Sequence, residues 1–458
     1  MNKHHIKVLL CSLAIIILSA SCKKYLDEKP DQRLSTPDTL DDLQALMDNP
    51  SFYKWGLRVI QNVTDEYYLP YTIWQSRIDI DKQSYIWDPA VDDEKDWTQQ
   101  YSLILTANTV LDNVDRINEK SASPKAAEIK GFALFLRSFS FFQLAQLFAP
   151  QYDAATADTD LGIVLRLEAD FNIPSVRSTV QQTYDQIIKD LQLAVDLLPE
   201  SVVAKTRPNK AAGYALLAKV YLQKGDYANA KQAANESLKL YNQLIDYSST
   251  TDVNPTASEP FLKKGILNSE ILYYVNDESS LNAVNTSAKI DSFLYSSYDV
   301  NDIRKTAFFR QITGENTYRF KGSYNGSSSV GAFVGLGTAE VYLIRAESSA
   351  RLGDISSAMQ DLNALLSKRY KPGTVPVFNP GTSEQALTII LTERKKEMIY
   401  RGVRWADIRR LNKNSSTAVT LTRNLNGTIY KLPPNDLRYT LLIPLTIIQQ
   451  TNLEQNAR

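Results

Sequence analysis

Tyr214-Ala-Leu-Leu-Ala218-Lys-Val-Tyr-Leu-Gln-Lys-Gly225-Asp226-Tyr-Ala-Asn-Ala230 decides the fold of this chain. An apolar-periodic segment follows it to Leu240, and 128 residues further on the pattern returns at Tyr342, Ala346, Gly353, Asp354 and Ala358. Small Ala in the first helix lets a partner helix approach closely. Gly-Asp ends that helix, because a left-handed cap conformation costs Gly little. The later Ala packs back on the first helix. This is a tetratricopeptide-type helix–turn–helix unit. Such a unit cannot bury its apolar face alone, so neighbours must stack. Here the two units are separated, which implies a helical scaffold interrupted by a large insertion.

Working outward, helical spacing dominates. Trp97 to Ile117 carries Tyr101, Leu105, Asn108, Leu111 and Val114 along one helix. In Lys125 to Phe148, apolar residues surround most of the helix, so burial on several sides is expected. Ser178 to Leu198 is a third helix, closed by Pro199, which cannot continue it. Helix pairs are therefore expected at about 97–148, 178–240 and 338–370. Two regions lack this order. Residues 49–96 hold Trp55, Trp74 and Trp87, with Trp97 at their edge, and residues 246–336 are rich in Ser, Asn, Gly and Tyr. Loops carrying large aromatics on a rigid frame are where binding concentrates. Ile290 to Tyr298 has short helical periodicity, and Tyr318-Arg-Phe-Lys321 alternates as a strand does. From about Ser415 the tail reads as short extended pieces. The fold class is mainly α, a tetratricopeptide-type scaffold with large irregular loop insertions.

The N-terminus adds a location. Two lysines and no acid precede an apolar stretch from Val8 to Leu18, followed by Ser19-Ala20-Ser21-Cys22. Charged, apolar and small regions in that order describe a secretory signal peptide over 1–21, too short to span a bilayer, which takes roughly 20 apolar residues. A Cys directly after the small residues reads as a bacterial lipobox, with Leu18 one place further out than the pattern prefers. Lipidation at Cys22 and a polar tether over 22–40 are expected, ahead of one helical domain over 41–458.

Cleavage there removes His4, His5 and Cys11, leaving a mature chain with no His and one lipidated Cys. That excludes intrachain disulfides, Cys/His zinc sites and His-dependent triads or dyads. It also removes two lysines from a chain with 51 residues of each sign, for a net charge of about −2. A near-neutral surface without a basic run gives no footprint for nucleic acid. At 43% hydrophobic and 22% charged the composition is globular, with 25 tyrosines as its main skew.

Several further blocks carry a family resemblance. They include Cys22-Lys-Lys-Tyr-Leu-Asp-Glu-Lys-Pro30, Phe135-Leu-Arg137-Ser-Phe-Ser-Phe-Phe-Gln-Leu144, Leu161-Gly-Ile163, Tyr184 to Leu191 and Arg207-Pro-Asn-Lys-Ala-Ala212. The most specific are Glu340-Val-Tyr-Leu-Ile-Arg345-Ala-Glu347, Asp361-Leu-Asn363, Glu393-Arg-Lys-Lys-Glu397 and Arg401-Gly402-Val-Arg404-Trp405-Ala-Asp407 running on to Leu411. Ile443-Pro444 and Asn452 to Asn456 complete them. The chain resembles the SusD/RagB family of nutrient-uptake outer-membrane lipoproteins of Bacteroidota, almost end to end. It departs at Ala457-Arg458, where the family commonly continues with Pro-Gly and an aromatic. The resemblance implies a non-catalytic surface protein that binds oligosaccharide or another nutrient. It also implies delivery of that ligand to a SusC-like TonB-dependent transporter, with anchoring in the outer membrane through Cys22. Independently of the family, Glu393, Arg394, Glu397, Arg401 and Arg404 are spaced to form ion-pair ladders along a helix.

Sugar rings present C–H faces that stack on aromatics, while a few polar groups fix orientation. Thr64-Asp65-Glu66-Tyr67-Tyr68-Leu69-Pro70-Tyr71-Thr72-Ile73-Trp74 concentrates such residues, and the resemblance often places ligand contacts in this stretch. Trp74, Tyr71, Tyr67 and Asp65 are the candidates there, with Tyr295, Tyr298 and Tyr324 from the insertion. Asn301-Asp302-Ile-Arg304 also resembles a family motif, although its Asp and Arg can pair with each other. Two other readings stay open. One is a surface glycoside hydrolase working through Asp65/Glu66, Asp79/Asp81 or Asp92/Asp93/Glu94. The other is a tetratricopeptide adaptor recognising proteins alone. No catalytic residue, cofactor or metal is assigned: Asp clusters can hold Ca2+, but no spacing singles out a loop.

Overall fold

The computed structural model describes residues 37–458 apart from 55, 122, 278–286 and 327–330; the signal peptide, Cys22 and Trp55 lie outside the described residues. Helices α1 (Leu40–Met47), α2 (Arg58–Asn62), α3 (Tyr71–Gln75) and α4 (Asp79–Tyr85) precede a long hairpin, α5 (Glu94–Ser121) and α6 (Pro124–Phe148). Then come α7 (Val180–Leu197), α8 (Lys210–Lys224) and α9 (Tyr227–Leu240). Within the insertion lie α10 (Ser292–Ser296) and α11 (Ile303–Phe308). The scaffold resumes with α12 (Thr338–Arg351), α13 (Ile355–Leu366), α14 (Ser383–Glu397), α15 (Arg404–Leu411) and α16 (Leu445–Thr451). Among the described residues sheets are confined to two-stranded pairs, so the fold is mainly α. β1 (Tyr67–Tyr68) pairs with β6 (Lys289–Ile290), β2 (Leu161–Val164) with β3 (Arg177–Thr179), and β4 (Ile271–Tyr273) with β10 (Leu336–Gly337). β5 (Asn276–Asp277) pairs with β9 (Ala332–Phe333), β7 (Phe309–Gln311) with β8 (Tyr318–Phe320), and β11 (Leu421–Leu425) with β12 (Thr428–Leu432).

Each long helix packs on the next, α5 on α6, α6 on α7, α7 on α8 and α8 on α9. The series crosses the insertion without a break, because α9 packs directly on α12, and α12 on α13 and α14. The two tetratricopeptide-type units share their turn, cap and contact residues. Gly225 and Gly353 sit at φ +80° and +84°, where a Cβ is strained. Asp226 and Asp354 follow as N-caps, accepting from the amides of Asn229 and Ser357 at 3.2 and 3.0 Å. Ala218, Ala230, Ala346 and Ala358 are fully buried where the helices meet. The second unit joins the first through Lys231 to Asp354 at 2.8 Å, and through Arg345, which bonds Asp361 at 2.6 Å and Asn235 at 2.9 Å.

Helix α6 is the spine. Phe135, Phe141, Leu144, Leu147 and Phe148 have no solvent exposure, each contributing roughly 1.5–3 kcal/mol of hydrophobic stabilisation. The helix is long and apolar enough to cross a membrane, yet 94% of that stretch is buried among its neighbours. Arg137 is tolerated there because Asp190 of α7 receives it in two bonds at 2.7 and 2.9 Å.

One expectation fails in an informative way. The charges of 393–404 do not pair mainly along their own helices, apart from Lys396 to Glu393 at 2.7 Å. They cross between elements instead. Arg394 bonds Asp407 at 2.8 Å, Arg404 bonds Asp65, and Glu397 receives both Arg304 and Arg369. Burial is the reason: with no water beside them, these groups take the partner that completes their hydrogen bonds, wherever it comes from. Helix α14 stops at Glu397, and Gly402 at φ +70° turns the chain into α15.

Candidate functional site

The two irregular regions are stitched together by one short ladder. Strand β1 (Tyr67–Tyr68) pairs antiparallel with β6 (Lys289–Ile290), placing Tyr67 opposite Ile290 and Tyr68 opposite Lys289. The Asp291 amide extends the ladder by donating to the Glu66 carbonyl at 3.0 Å. In an antiparallel pair the chains leave in opposite directions, and each leads into a short helix bearing aromatics.

Beyond β1, Leu69-Pro70 starts α3. Tyr71 and Trp74 lie one turn apart on it, their rings stacked at 5.9 Å and 29°. Tyr71 is 36% exposed. Trp74 is half-buried against the core, and its indole N–H donates to the Lys82 carbonyl at 3.1 Å, fixing the ring. Beyond β6, Asp291 caps α10 by accepting from the Leu294 amide at 2.8 Å. Tyr295 on this helix stacks face to face with Tyr318 at 3.6 Å and 14°. Tyr318 belongs to the hairpin of β7 (Phe309–Gln311) and β8 (Tyr318–Phe320). Phe309 meets the Tyr295 ring edge-on at 5.5 Å, and the Lys305 ammonium lies 5.1 Å from its centroid. Burial and the neighbouring Tyr318 hydroxyl push the Tyr295 phenol above its usual range. Phe293, 85% exposed, projects from the same helix. Lys289, Glu315 and Thr317 supply polar groups beside the hairpin, joined to one another by an ion pair and a 2.7 Å hydroxyl bond.

The structure separates the sequence candidates into two groups. Tyr71, Trp74 and Tyr295 keep ring surface at the boundary with solvent. Tyr67, Tyr298 and Tyr324 are buried, and no ligand reaches their rings in this arrangement. Tyr67 packs between Tyr85 and Tyr400, the Tyr298 hydroxyl donates to the Lys396 carbonyl at 2.7 Å, and that of Tyr324 donates to Glu270 at 2.6 Å. Asp65 is also committed, held by Arg404 in two bonds at 2.6 and 2.8 Å and by Lys395 at 2.8 Å. Burial raises its pKa, but Arg404 and Lys395 outweigh that and hold it well below the usual carboxylate range. Arg304 and Asp302 pair with each other, with bonds of 2.9 and 2.8 Å, inside a larger buried cluster. Sequence patterning assigns Tyr318 only to a strand and does not single out Tyr68 or Phe293. Period-2 alternation at 318–321 puts Tyr318 on the same face as buried Phe320, so the local pattern points its ring inward and gives no signal for a surface role. Among the described residues, no three His, Cys, Asp or Glu side chains gather where they could hold a metal ion.

This arrangement, helix pairs with aromatic-bearing insertions, has relatives. A family described as starch-binding and associating with the outer membrane matches residues 24–222, and the SusD family matches residues 222–441, so the two matches cover nearly the whole chain. The chain belongs to the SusD/RagB family. SusD-like protein P2 of Formosa agariphila is 25% identical over 373 residues, which are 69% of this chain and 71% of that protein. A SusD superfamily protein from Bacteroides thetaiotaomicron has the same fold, at a TM-score of 0.73 with 22% identity, over 92% of this chain and all of that one. A SusD-like carbohydrate-binding protein of Bacteroides vulgatus matches at a TM-score of 0.70 with 18% identity, over 91% and 97% of the two chains.

Proposed function

We propose that this SusD-family chain is a non-catalytic glycan-binding lipoprotein of the outer membrane. In this reading it grips an oligosaccharide at the cell surface and passes it to a SusC-like TonB-dependent transporter. Tyr71 with Trp74 and Tyr295 with Tyr318, rooted on one β1–β6 ladder, carry it. Ring faces held rigid by stacking and hydrogen bonds suit the apolar faces of sugars, and Lys and Glu groups nearby suit their hydroxyls. The carbohydrate-binding description of the Bacteroides vulgatus relative supports the same ligand class. Lipidation at Cys22 supplies the anchor.

The hydrolase alternative has one observation in its favour. Asp65 is held low and Glu66 is pushed up to about 7, a split of the kind acid/base pairs use. Glu66, however, is sealed in the core, accepting the Thr64 hydroxyl and the Tyr400 amide at 3.2 Å each. Asp65 is fully engaged by Arg404 and Lys395. Neither carboxyl of this pair reaches a substrate, which supports the binding reading.

Calorimetric titration with glycans taken from an array tests it. Tyr71→Ala and Tyr295→Ala should each weaken binding by about tenfold, equivalent to ~1.4 kcal/mol, with Tyr71→Ala leaving thermal unfolding unchanged. Unchanged affinity in both variants refutes the site. New reducing ends during incubation refute the non-catalytic reading.

A further inference from the structure

The connection between β2 (Leu161–Val164) and β3 (Arg177–Thr179) exposes four apolar side chains in ten residues. Leu167 and Ile173 are each 40% exposed, Val176 70% and Phe171 77%. Isolated exposed apolar residues need no explanation, but a contiguous run marks an interaction surface. The loop is held firmly, so the exposure is not a by-product of slack chain. Asn108 donates to the carbonyls of Arg166 and Glu168 at 2.9 and 3.1 Å, and Arg137 to that of Leu167 at 3.1 Å. Asp112 accepts the Ala169 amide at 3.0 Å, and Arg166 reaches across to the Ile173 carbonyl. These bonds tie the loop's backbone to α5 and α6 at several points, while its four apolar side chains stay exposed.

The entry point of the chain lies beside it. Arg116 donates to the carbonyl of Pro37, the first described residue, at 3.2 Å. Asn108, Asp112 and Arg116 stand at successive four-residue steps of α5, on one stripe of the helix and within about 12 Å along its axis. The same stripe therefore holds both the apolar loop and the start of the described chain. From Pro37 back to Cys22 is fifteen residues, at most about 50 Å when fully extended.

We propose that the Leu167–Val176 loop is a lipid-surface contact, lying in the headgroup region of the bilayer that carries the Cys22 anchor. The proposal rests on the lipidation reading of Cys22. The headgroup region of a bilayer supplies water and polar partners to a loop's backbone, while the acyl boundary just beneath it takes up exposed apolar side chains. Leu, Ile, Val and Phe are side chains of that kind, and Arg166, Glu168 and Asp170 beside them sum to a charge of −1, so the contact draws nothing from an anionic lipid patch. A lipid anchor on a tether leaves the body of the protein free to turn, and a second contact with the bilayer fixes its orientation.

The mature chain's lack of free Cys provides the test. The full lipidated chain carrying Asn172→Cys at the loop tip, or Val377→Cys as an 83% exposed control, is labelled with an environment-sensitive fluorophore. Each is reconstituted on vesicles of phosphatidylethanolamine and phosphatidylglycerol. The Asn172 label should shift to the blue and lose about threefold in iodide quenching, while the Val377 label changes in neither. Equal quenching at the two positions overturns the proposal. So does protection of Asn172 that arises only with a co-reconstituted transporter, which would make the occupant a protein. Mass analysis of the N-terminal peptide separates the premises: a Cys22 without diacylglycerol removes the anchor and the proposal with it, whatever glycan binding shows.

Discussion

Glu66 and Asp65 are sequence neighbours with opposite protonation behaviour, and the cause lies in what each one faces. Burial and the Asp65 charge push Glu66 up from 4.5 to about 7, whereas Arg404 and Lys395 hold Asp65 low. A carboxyl whose folded pKa is raised binds its proton more tightly in the folded state. Its contribution to stability is complete below about 4.5 and is lost as pH rises to about 7. A shift of that size corresponds to at most about 3 kcal/mol. Glu66→Gln keeps the shape and removes the titration, so it should flatten the fall in denaturant midpoint between pH 5 and 7.5. A slope identical to wild type would assign the titration to another group, with Asp96, raised by burial and by the nearby Asp93 charge, the next to examine. Asp407 and Glu347 act in the opposite sense. Burial opposes them, but Arg394, Arg410 and Arg351 hold them low, so their stabilisation is fully present above the usual carboxylate range and is lost as pH falls below it.

At the scale of the element, the tetratricopeptide-type unit is defined by its turn. No atom lies within 4 Å of a Cβ placed on Gly353, so Gly353→Ala meets only backbone strain at φ +84°. It should cost about 1–2 kcal/mol and a few degrees of melting temperature, read by calorimetry. An unchanged melting temperature would mean that the turn relaxes without the helices. These units were legible in the sequence because their determinants are local: Ala where helices touch, Gly at the left-handed cap, Asp as the next N-cap. The spine α6 was legible for the same reason, through apolar residues all round. Aromatic sites were legible only in part. Tyr67 and Tyr71 stand four residues apart in one aromatic-rich run, yet one is core and the other surface. Pairing with β6, more than two hundred residues away, decides which. Tyr298 and Tyr324 were likewise taken inward by Lys396 and Glu270, partners no local pattern reveals.

Across the whole molecule, insertion and scaffold are one body because buried charges are shared between them. Arg369, in the turn after α13, bonds Glu270 of the insertion at 2.7 Å, Glu397 of α14 at 2.8 Å and the Ile245 carbonyl at 2.8 Å. Arg304 of α11 bonds Glu393 at 2.6 Å and Glu397 at 3.0 Å. All these side chains are sealed from water, so removing one partner leaves a buried charge uncompensated, at about 3–5 kcal/mol. Arg369→Met should therefore lower the calorimetric transition as a single peak, with insertion and helices melting together. Lys263→Met, which breaks an exposed pair with Asp252, should change stability by less than about 1 kcal/mol. Two separated peaks in Arg369→Met would show instead that the insertion is an independent unit, leaving Tyr295 and Tyr318 free to move relative to Tyr71 and Trp74. With one peak, the two aromatic pairs keep a fixed spacing before ligand arrives. A ligand then meets preorganised surfaces and loses little affinity to ordering them.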